Sequence, residues 1–466
     1  MSFLKDKRAL CADRPNIWVH PGRAVNRTGE KTMKMNNGNL TWQETIRSSS
    51  DRFVWQGATK LNLDDLAILG GKPAFEEKLH VGRPNIGDRE RLLARINDIL
   101  DRKWLSNRGP YVQQFEQRIC EIVGAKHCIA TCNGSIALEI AIRAVGLSGE
   151  VIIPSFTFIA TAHALQWQEI TPVFCDIGPF SHQLDASRVE ALITPRTTGI
   201  IGVHLWGKPC DVEPLTQIAR KHNLKLLFDA AHAFGCSHNG IQIGNFGDAE
   251  VFSFHATKFL NAFEGGAIVT NSDELAAVVR LMKNFGFSGY DNVICLGSNG
   301  KMSEVSAAMG LTGLESLDEF IAHNYRNYKQ YQHELAGLLG VRLLSYDETE
   351  KCNYQYIVLE IDETAAGITR DQLLTILWAE NIIARRYFYP GCHRMEPYRS
   401  RFPNAGLLLP VTEAVAERVL VLPTGTAIGS TEISNICRII RLAVTHGRAI
   451  RGRLPAVLPI AGAPQA

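Results

Sequence analysis

Residues 251–270 read VFSFHATKFLNAFEGGAIVT, two apolar segments separated by a lysine and a glycine-containing bend. The flanking segments are typical of buried strands, and Gly265-Gly266 predicts a sharp return from one strand into the next. Lys258 therefore stands at a strand end, between two parts of the chain that favour burial. A cation placed there needs a chemical reason, because burial disfavours the charged form of an amine.

The same pattern extends outward in both directions. From residue 127 to 233, short Val/Ile/Leu-rich segments alternate with amphipathic ones, which indicates βαβ units around a mainly parallel sheet flanked by helices. Beyond a long helical segment near residue 321, a helix between two strand-like segments predicts a smaller α+β unit. We predict four parts: a polar N-terminal extension, a large α/β domain, a small α+β domain and a flexible tail, over residues 1–60, 61–320, 321–450 and 451–466.

Composition excludes several function classes. The chain has 466 residues, 45% hydrophobic and 21% charged, with a mean hydropathy of -0.04, which predicts a folded protein of two or three units. A net charge of +2 provides no field to attract nucleic acid or an acidic membrane. The most apolar window, residues 151–167, is too short and too polar for a membrane span.

The N-terminal residues lack the apolar centre of a secretory signal, and a cytoplasmic location is expected. The 11 cysteines, an odd number without a C-x-x-C pair, fit reduced thiols better than a disulfide framework.

Three features could carry chemistry. A strand enters Asn133-Gly134, and Ser135 opens a helix, a pattern that presents free N–H groups to an anion such as phosphate. An ordinary capped helix would show the same residues. Asp229 follows an apolar segment at the carboxyl end of a predicted strand, where open α/β sheets bind ligands, although it could equally cap the next helix. Lys258 lies where it can face Asp229 across a cleft.

The three features together indicate pyridoxal 5'-phosphate. This cofactor needs an anion site for its phosphate, a carboxylate that keeps its pyridine nitrogen protonated, and a lysine that forms a Schiff base with its aldehyde. An amine in a partly desolvated pocket loses some preference for its charged form and can act as that nucleophile. No metal ion is predicted.

Four stretches closely resemble the DegT/DnrJ-type nucleotide-sugar aminotransferases, a family with the aspartate aminotransferase fold, or pyridoxal phosphate fold type I. They are SFHATKFLNAFEGGAIVT, DAAHA, PSFTFIATAHA and GSNGKMSEVSAAMGL, within a similarity that spans roughly residues 66 to 445. The resemblance implies catalytic roles for Lys258 as the Schiff-base lysine, Asp229 as the partner of the ring nitrogen, and His232 beside the ring hydroxyl.

The resemblance also implies a set of residues that bind the cofactor and a homodimer with active sites at the subunit interface. Phe158 would stack on the pyridine face, and Asn299 would reach the cofactor phosphate of the neighbouring subunit. The phosphate of the same subunit would contact Gly134, Ser135 and Ser253.

The implied activity is transamination of a nucleotide-linked keto sugar with L-glutamate, which gives an amino sugar nucleotide and 2-oxoglutarate for lipopolysaccharide or secondary-metabolite glycosylation. A dTDP-4-keto-6-deoxyhexose is the favoured substrate, with a 3-keto sugar as the other choice. Some relatives that remove oxygen from sugars carry histidine in place of the lysine, so Lys258 favours transamination. Two alternatives stay open: a pyridoxal-phosphate-dependent sugar dehydratase or lyase, and a non-catalytic regulatory protein that binds the cofactor.

Other motifs give weaker signals. Residues 202–209 approach a P-loop, but Pro209 replaces the required Ser or Thr. The spacing of His232, Cys236 and His238 matches no closed zinc pattern. A basic and aromatic cluster could bind glutamate or a sugar diphosphate, or could simply face water. It comprises Arg385, Arg386, Tyr387, Tyr389, His393 and Arg394.

Overall fold

The computed structural model describes residues 60–454, so residues 1–59 of the predicted extension and 455–466 of the predicted tail lie outside the described residues. Its strands, numbered along the chain, are β1 Leu79–His80, β2 His127–Thr131, β3 Glu150–Pro154, β4 Thr171–Cys175, β5 Thr197–Val203, β6 Lys225–Asp229, β7 Ser237–His238, β8 Ile241–Gln242, β9 Ala249–Ser253, β10 Gly266–Thr270, β11 Val341–Leu343, β12 Ile357–Ile361, β13 Ile382–Ile383 and β14 Val419–Leu422.

Helices connect most of these strands. In chain order they are α1 Arg89–Arg102, α2 Pro110–Val123, α3 Gly134–Ala144, α4 Ile159–Gln166, α5 Ala186–Val189, α6 Val212–Lys221, α7 Asp273–Met282, α8 Glu304–Glu315, α9 Leu317–Glu334, α10 Glu363–Ala366, α11 Arg370–Ala379, α12 Tyr398–Arg401, α13 Pro410–Ala416, α14 Ser430–Thr445 and α15 Gly447–Arg451.

The main sheet has seven strands in the order β2-β10-β9-β6-β5-β3-β4. Strand β10 runs antiparallel to both its neighbours, and the remaining neighbouring pairs are parallel. Apolar side chains from both sheet faces are buried, as in β6, where Leu226 and Leu227 pack into different clusters. The predicted α/β architecture with a mainly parallel sheet is confirmed.

The C-terminal part adds a second, three-stranded antiparallel sheet in the order β11-β12-β14. The helix predicted between two strand-like segments forms as α11, whose N-terminus is closed by a capping box between Thr369 and Gln372. The strand-like segment after this helix forms only the two-residue strand β13, which joins neither the seven-stranded nor the three-stranded sheet. Strand β13 pairs in parallel with β1, because Leu79–His80 returns to this part of the molecule.

The division into domains at residues 320 and 321 stays a prediction. Of the helices within the described chain, none is long and apolar enough to cross a membrane.

Candidate active site

The carboxyl edge of the main sheet brings the predicted residues together. Asp229 ends β6 and lies opposite Val251 of β9, while Ser253 ends β9. Gly266 of β10 lies opposite both Ser253 and Thr131, so the turn that follows β2 reaches the same edge. Parallel strands place their carboxyl ends on one side of a sheet, and ligands bind there in open α/β folds.

Asp229 is held by two hydrogen bonds. The side chain is 5% exposed. Thr161 Oγ1 donates to Oδ2 at 2.8 Å, and the Ala231 N–H donates to Oδ1 at 3.1 Å. The first bond crosses from α4, and the second closes the turn after β6. Each of the two carboxylate oxygens therefore accepts one hydrogen bond, and the two bonds together fix the orientation of the group.

Lys258 lies in the turn between β9 and β10. Its backbone N–H donates to the carbonyl of His255 at 2.9 Å, and its side chain is half-buried. Burial lowers the pKa of Lys258 from 10.5 to about 8, while the charge of Asp229 acts in the opposite direction. The lysine thus has the reduced preference for the charged form that a nucleophilic amine needs.

His232 is buried beside the other two groups. Burial, and after it the positive charge of Lys258, hold the pKa of His232 well below its usual range, so the imidazole is neutral near pH 7. Its Nδ1 accepts the N–H of Trp206 at 3.3 Å. A neutral ring that accepts at Nδ1 carries its proton on Nε2. That N–H is available as a donor, because Nε2 has no hydrogen-bond partner within residues 60–454.

The turn after β2 is shaped for an anion. Asn133 caps α3 by accepting the Ile136 N–H at 2.9 Å. The N–H groups of Gly134 and Ser135 have no acceptor among residues 60–454. A Cβ atom on Gly134 would lie 2.9 Å from the Ser253 Cβ, so only glycine allows this approach. Two free amides, a serine hydroxyl and a helix N-terminus fit the phosphate of pyridoxal phosphate.

The other two predicted cofactor residues lie on the surface of this chain. Phe158 is the N-cap of α4 and is 56% exposed, one helical turn before the Asp229 partner Thr161. Its ring centroid lies 6.4 Å from that of Phe388. Asn299 is exposed, and its backbone oxygen is 4.0 Å from the sulfur of Cys132, which lies in the turn after β2. Stacking by Phe158 and the contact of Asn299 across subunits stay predictions.

Sequence reasoning missed Thr161 and three aromatic side chains around His232, which we call the aromatic wall. Thr161 is fully buried in the quoted stretch 154–164, three residues after Phe158, so helical periodicity carried a signal that both face one side. The wall comes from distant parts of the chain and had no such signal. Its ring centroids lie between 4.3 and 5.9 Å from that of His232, and its members are Trp206, Tyr356 and Phe388.

The competing motifs do not assemble. After Lys208, which is half-buried, the chain runs on until α6 begins at Val212, so no helix starts where a P-loop needs it. Cys236 is buried, while His238 Nε2 lies 2.8 Å from Glu213. Within the described range, no group of three or more His, Cys, Asp and Glu side chains is arranged to hold a metal ion.

Fold and site together define the class. A half-buried amine with a lowered pKa, a carboxylate held by two hydrogen bonds and a turn with free backbone amides lie at one edge of a mainly parallel sheet. The protein is a pyridoxal-phosphate-dependent sugar aminotransferase of fold type I. Residues 87–441 match the model of the DegT/DnrJ/EryC1/StrS aminotransferase family, and the chain belongs to that family.

Named relatives and solved structures are consistent with this family assignment. The chain is 38% identical over 369 residues to the dTDP-4-amino-4,6-dideoxy-D-glucose transaminase of Shigella dysenteriae, covering 79% of this chain and 99% of the relative. It is 35% identical to the GDP-perosamine synthase of Caulobacter vibrioides, covering 77% and 96%. The structure of DesI with its TDP-sugar product superposes with a TM-score of 0.81 at 50% identity, covering 84% and 99%. The chain is therefore similar to enzymes of nucleotide-sugar transamination.

Thr161 gives a prediction for this site. Thr161→Val removes the hydroxyl that donates to Asp229, and a hydrogen bond to a charged group is worth enough to lower kcat about tenfold. Thr161→Ser keeps the donor and should retain most activity. Single-turnover rates of the two purified variants check this expectation, with thermal unfolding as the control for stability. Equal rates in both variants would show that the bond does not matter for catalysis.

Proposed function

We propose that the protein transfers the amino group of L-glutamate to C4 of a dTDP-linked 4-keto-6-deoxyhexose. Two of the relatives in the comparison are named dTDP-4-amino-4,6-dideoxy-D-glucose transaminase, at 38% and 33% identity. The observation that carries the transamination itself is the half-buried Lys258, whose lowered pKa suits a base and nucleophile. The two relatives at 38% and 33% identity are named as transaminases and not as a dehydratase, a lyase or a regulatory protein, which favours transamination.

The chain's own residues supply binding and proton transfer. When bound, pyridoxal phosphate supplies an aldehyde that receives the amino group and a ring that accepts the electrons of the donor's α-carbon. Gly134, Ser135 and Ser253 would hold its phosphate, and Asp229 would keep a proton on the ring nitrogen. His232 would donate its Nε2–H toward the ring oxygen.

Lys258 performs the proton transfers. With the cofactor bound, the neutral Nζ of Lys258 would take the proton from the α-carbon of glutamate and hold it for the second proton transfer. The donor then leaves as 2-oxoglutarate. With the keto sugar the same amine works in the opposite direction and delivers a proton to the sugar carbon that gains nitrogen. Donor and acceptor use one site in turn, which gives ping-pong kinetics.

A homodimer completes the proposed site. The segment before Asn299 exposes several large apolar side chains, including Tyr290, fully exposed, and Leu296, 71% exposed. Contiguous exposed apolar side chains mark interaction surfaces, and Asn299 would reach a partner's cofactor phosphate from this segment. Sedimentation should show a dimer, and Asn299→Ala should weaken cofactor retention. A fully active monomer would contradict this part of the proposal.

One experiment tests the function. The purified protein is incubated with glutamate and a panel of keto-sugar nucleotides that varies the nucleotide and the keto position, and products are identified by mass spectrometry. Replacement of the oxo group by an amine in the dTDP-4-keto sugar supports the proposal. A deoxygenated product without nitrogen would indicate the dehydratase. Bound cofactor that reacts neither with glutamate nor, in a second incubation, with any of the other common amino acids would indicate the regulatory protein.

The pKa of Lys258 predicts a pH dependence. The neutral amine is the reactive form, and its fraction grows until the pH passes the lowered pKa. Cofactor-free protein should therefore take up pyridoxal phosphate faster as the pH rises toward about 8, and at a constant rate above it. Stopped-flow absorbance measures this rate. A rate that still rises toward 10.5, the ordinary value for lysine, would mean that the pocket does not desolvate the amine.

A further inference from the structure

Trp206 has two N–H groups, and each of them donates to a buried histidine. The backbone N–H donates to His232 Nδ1 at 3.3 Å, and the indole Nε1–H donates to His182 Nδ1, also at 3.3 Å. Trp206 is fully buried, and His182 is 1% exposed. One tryptophan therefore connects His232, beside Lys258 and Asp229, with a second histidine that has no role in the mechanism above.

His182 is held by a carboxylate on its other side. Its Nε2 lies 2.7 Å from Oε1 of Glu360 in β12. An indole N–H can only donate, so His182 Nδ1 accepts and Nε2 carries the proton toward Glu360. Burial acts to raise the pKa of Glu360, but the hydrogen bond from His182 and the charge of Arg342 in β11 hold that pKa below its ordinary value. The acceptor is therefore an anion near pH 7.

The turn that carries Trp206 needs support, because its backbone is strained. The φ of Trp206 is 63°, in the left-handed region that bulky side chains rarely adopt. The residue after His182 holds the same turn: the Leu205 N–H donates to Gln183 Oε1 at 3.2 Å, and Gln183 Nε2 donates to the Leu205 carbonyl at 3.1 Å. His182 and Gln183 thus fix two successive residues of the turn through their side chains.

The orientation of Trp206 decides what His232 presents to the cofactor site. If the Trp206 N–H turned away from Nδ1, the neutral imidazole could carry its proton on Nδ1, and Nε2 would then accept instead of donating. The indole is also part of the aromatic wall, with its centroid 5.9 Å from that of His232. A change at His182 would therefore reach His232 through both the backbone and the ring of Trp206.

We propose that His182 is a positioning residue for the transamination, and this inference rests on the role proposed for His232. Held by Glu360, His182 fixes the indole of Trp206. The backbone N–H of Trp206 in turn keeps the proton of His232 on Nε2. A contact that only joined β12 to the segment before α5 would use the same bonds without affecting His232, so the test must observe His232 itself.

The proton position on His232 provides a readout apart from turnover. In cofactor-free protein labelled with ¹⁵N-histidine, His232 should show a protonated Nε2 and an accepting Nδ1, and its signals are assigned by their loss in His232→Phe. His182→Phe removes both bonds and should shift these signals toward a mixture of the two proton positions. His182→Asn should keep the wild-type signals, because its amide oxygen can accept the indole N–H and asparagine tolerates the φ of 61° at this position.

Kinetics provide the second measurement. At saturating glutamate, His182→Phe should slow the single-turnover reaction about threefold to tenfold. The glutamate concentration for half-maximal rate should not change, because His182 acts through other residues. In a His232→Phe background the same substitution should have almost no further effect. His222→Phe is the matched control and should keep the wild-type rate, since this histidine lies 2.7 Å from Glu190 and precedes β6, at the opposite end of that strand from Asp229.

Two results would overturn the inference while leaving the transaminase intact: unchanged His232 signals in His182→Phe, or additive losses in the double variant. If His182→Phe does not fold, Trp206→Phe removes the same bond from its other side, and unchanged His232 signals there would overturn the inference equally. If the wild type reacts with no amino donor, the proposed function fails, whereas the nitrogen signals of the cofactor-free protein still decide whether His182 controls His232.

Discussion

Lys258→Ala removes all measurable transamination. In the proposed mechanism the variant loses both the amine that holds the cofactor and the base that moves the proton, and general acid–base catalysis alone is worth about 10² to 10⁴-fold. We expect kcat to fall at least about 10³-fold in each half-reaction. The measurement is the single-turnover rate with glutamate and, separately, with the keto-sugar nucleotide.

Lys258→Arg is the control for charge and bulk. Arginine keeps the cation and fills the pocket, but it stays protonated and cannot act as nucleophile or base. It should be as inactive as the alanine variant while keeping the wild-type unfolding temperature. Substantial activity in either variant would remove Lys258 from the mechanism.

Asp229→Asn should lower kcat by about 10² to 10³-fold. The amide has nearly the same shape and stays within reach of Thr161, but it has no charge to keep a proton on the pyridine nitrogen. Without that proton, the ring accepts the electrons of the α-carbon less readily. Stopped-flow kinetics of the glutamate half-reaction measure the loss, and cofactor content measured beside it shows that the phosphate site is intact.

A double-mutant cycle connects Asp229 with Thr161. If Thr161 acts only by orienting the carboxylate, Thr161→Val should have almost no further effect in the Asp229→Asn background. Additive losses would mean that Thr161 contributes through another contact, such as the 3.2 Å contact between its hydroxyl and that of Thr157. An Asp229→Asn variant with wild-type kinetics would contradict the role of the acid altogether.

Much of the fold followed from local pattern. Buried strands of a parallel sheet are continuous apolar runs, and amphipathic helices between them leave few other architectures. The rule that ligands bind at carboxyl ends then placed Asp229 at the correct edge. The bend at Gly265-Gly266 predicted the return strand, and the structure shows why glycine is needed there: a Cβ atom on Gly266 would lie 2.5 Å from the backbone of Asn133.

Other features depended on residues that the chain brings together from far apart. The sequence pattern does not distinguish Arg385 from Arg386. Only Arg386 pairs with Asp371, and this ion pair forms only when α11 packs beside the segment that carries both arginines. Likewise, strand β13 pairs with residues some 300 positions earlier, a non-local contact that no local period encodes.

The sequence by itself determined the α/β class and predicted three chemical groups at strand ends for a cofactor of this kind, because strand periodicity and strand-end positions are local properties. Only the tertiary structure decided the pKa of Lys258, the proton position on His232 and the support of Asp229 by Thr161. The reason is physical: desolvation and hydrogen-bond partners depend on which surfaces meet, and that is settled by packing between distant segments.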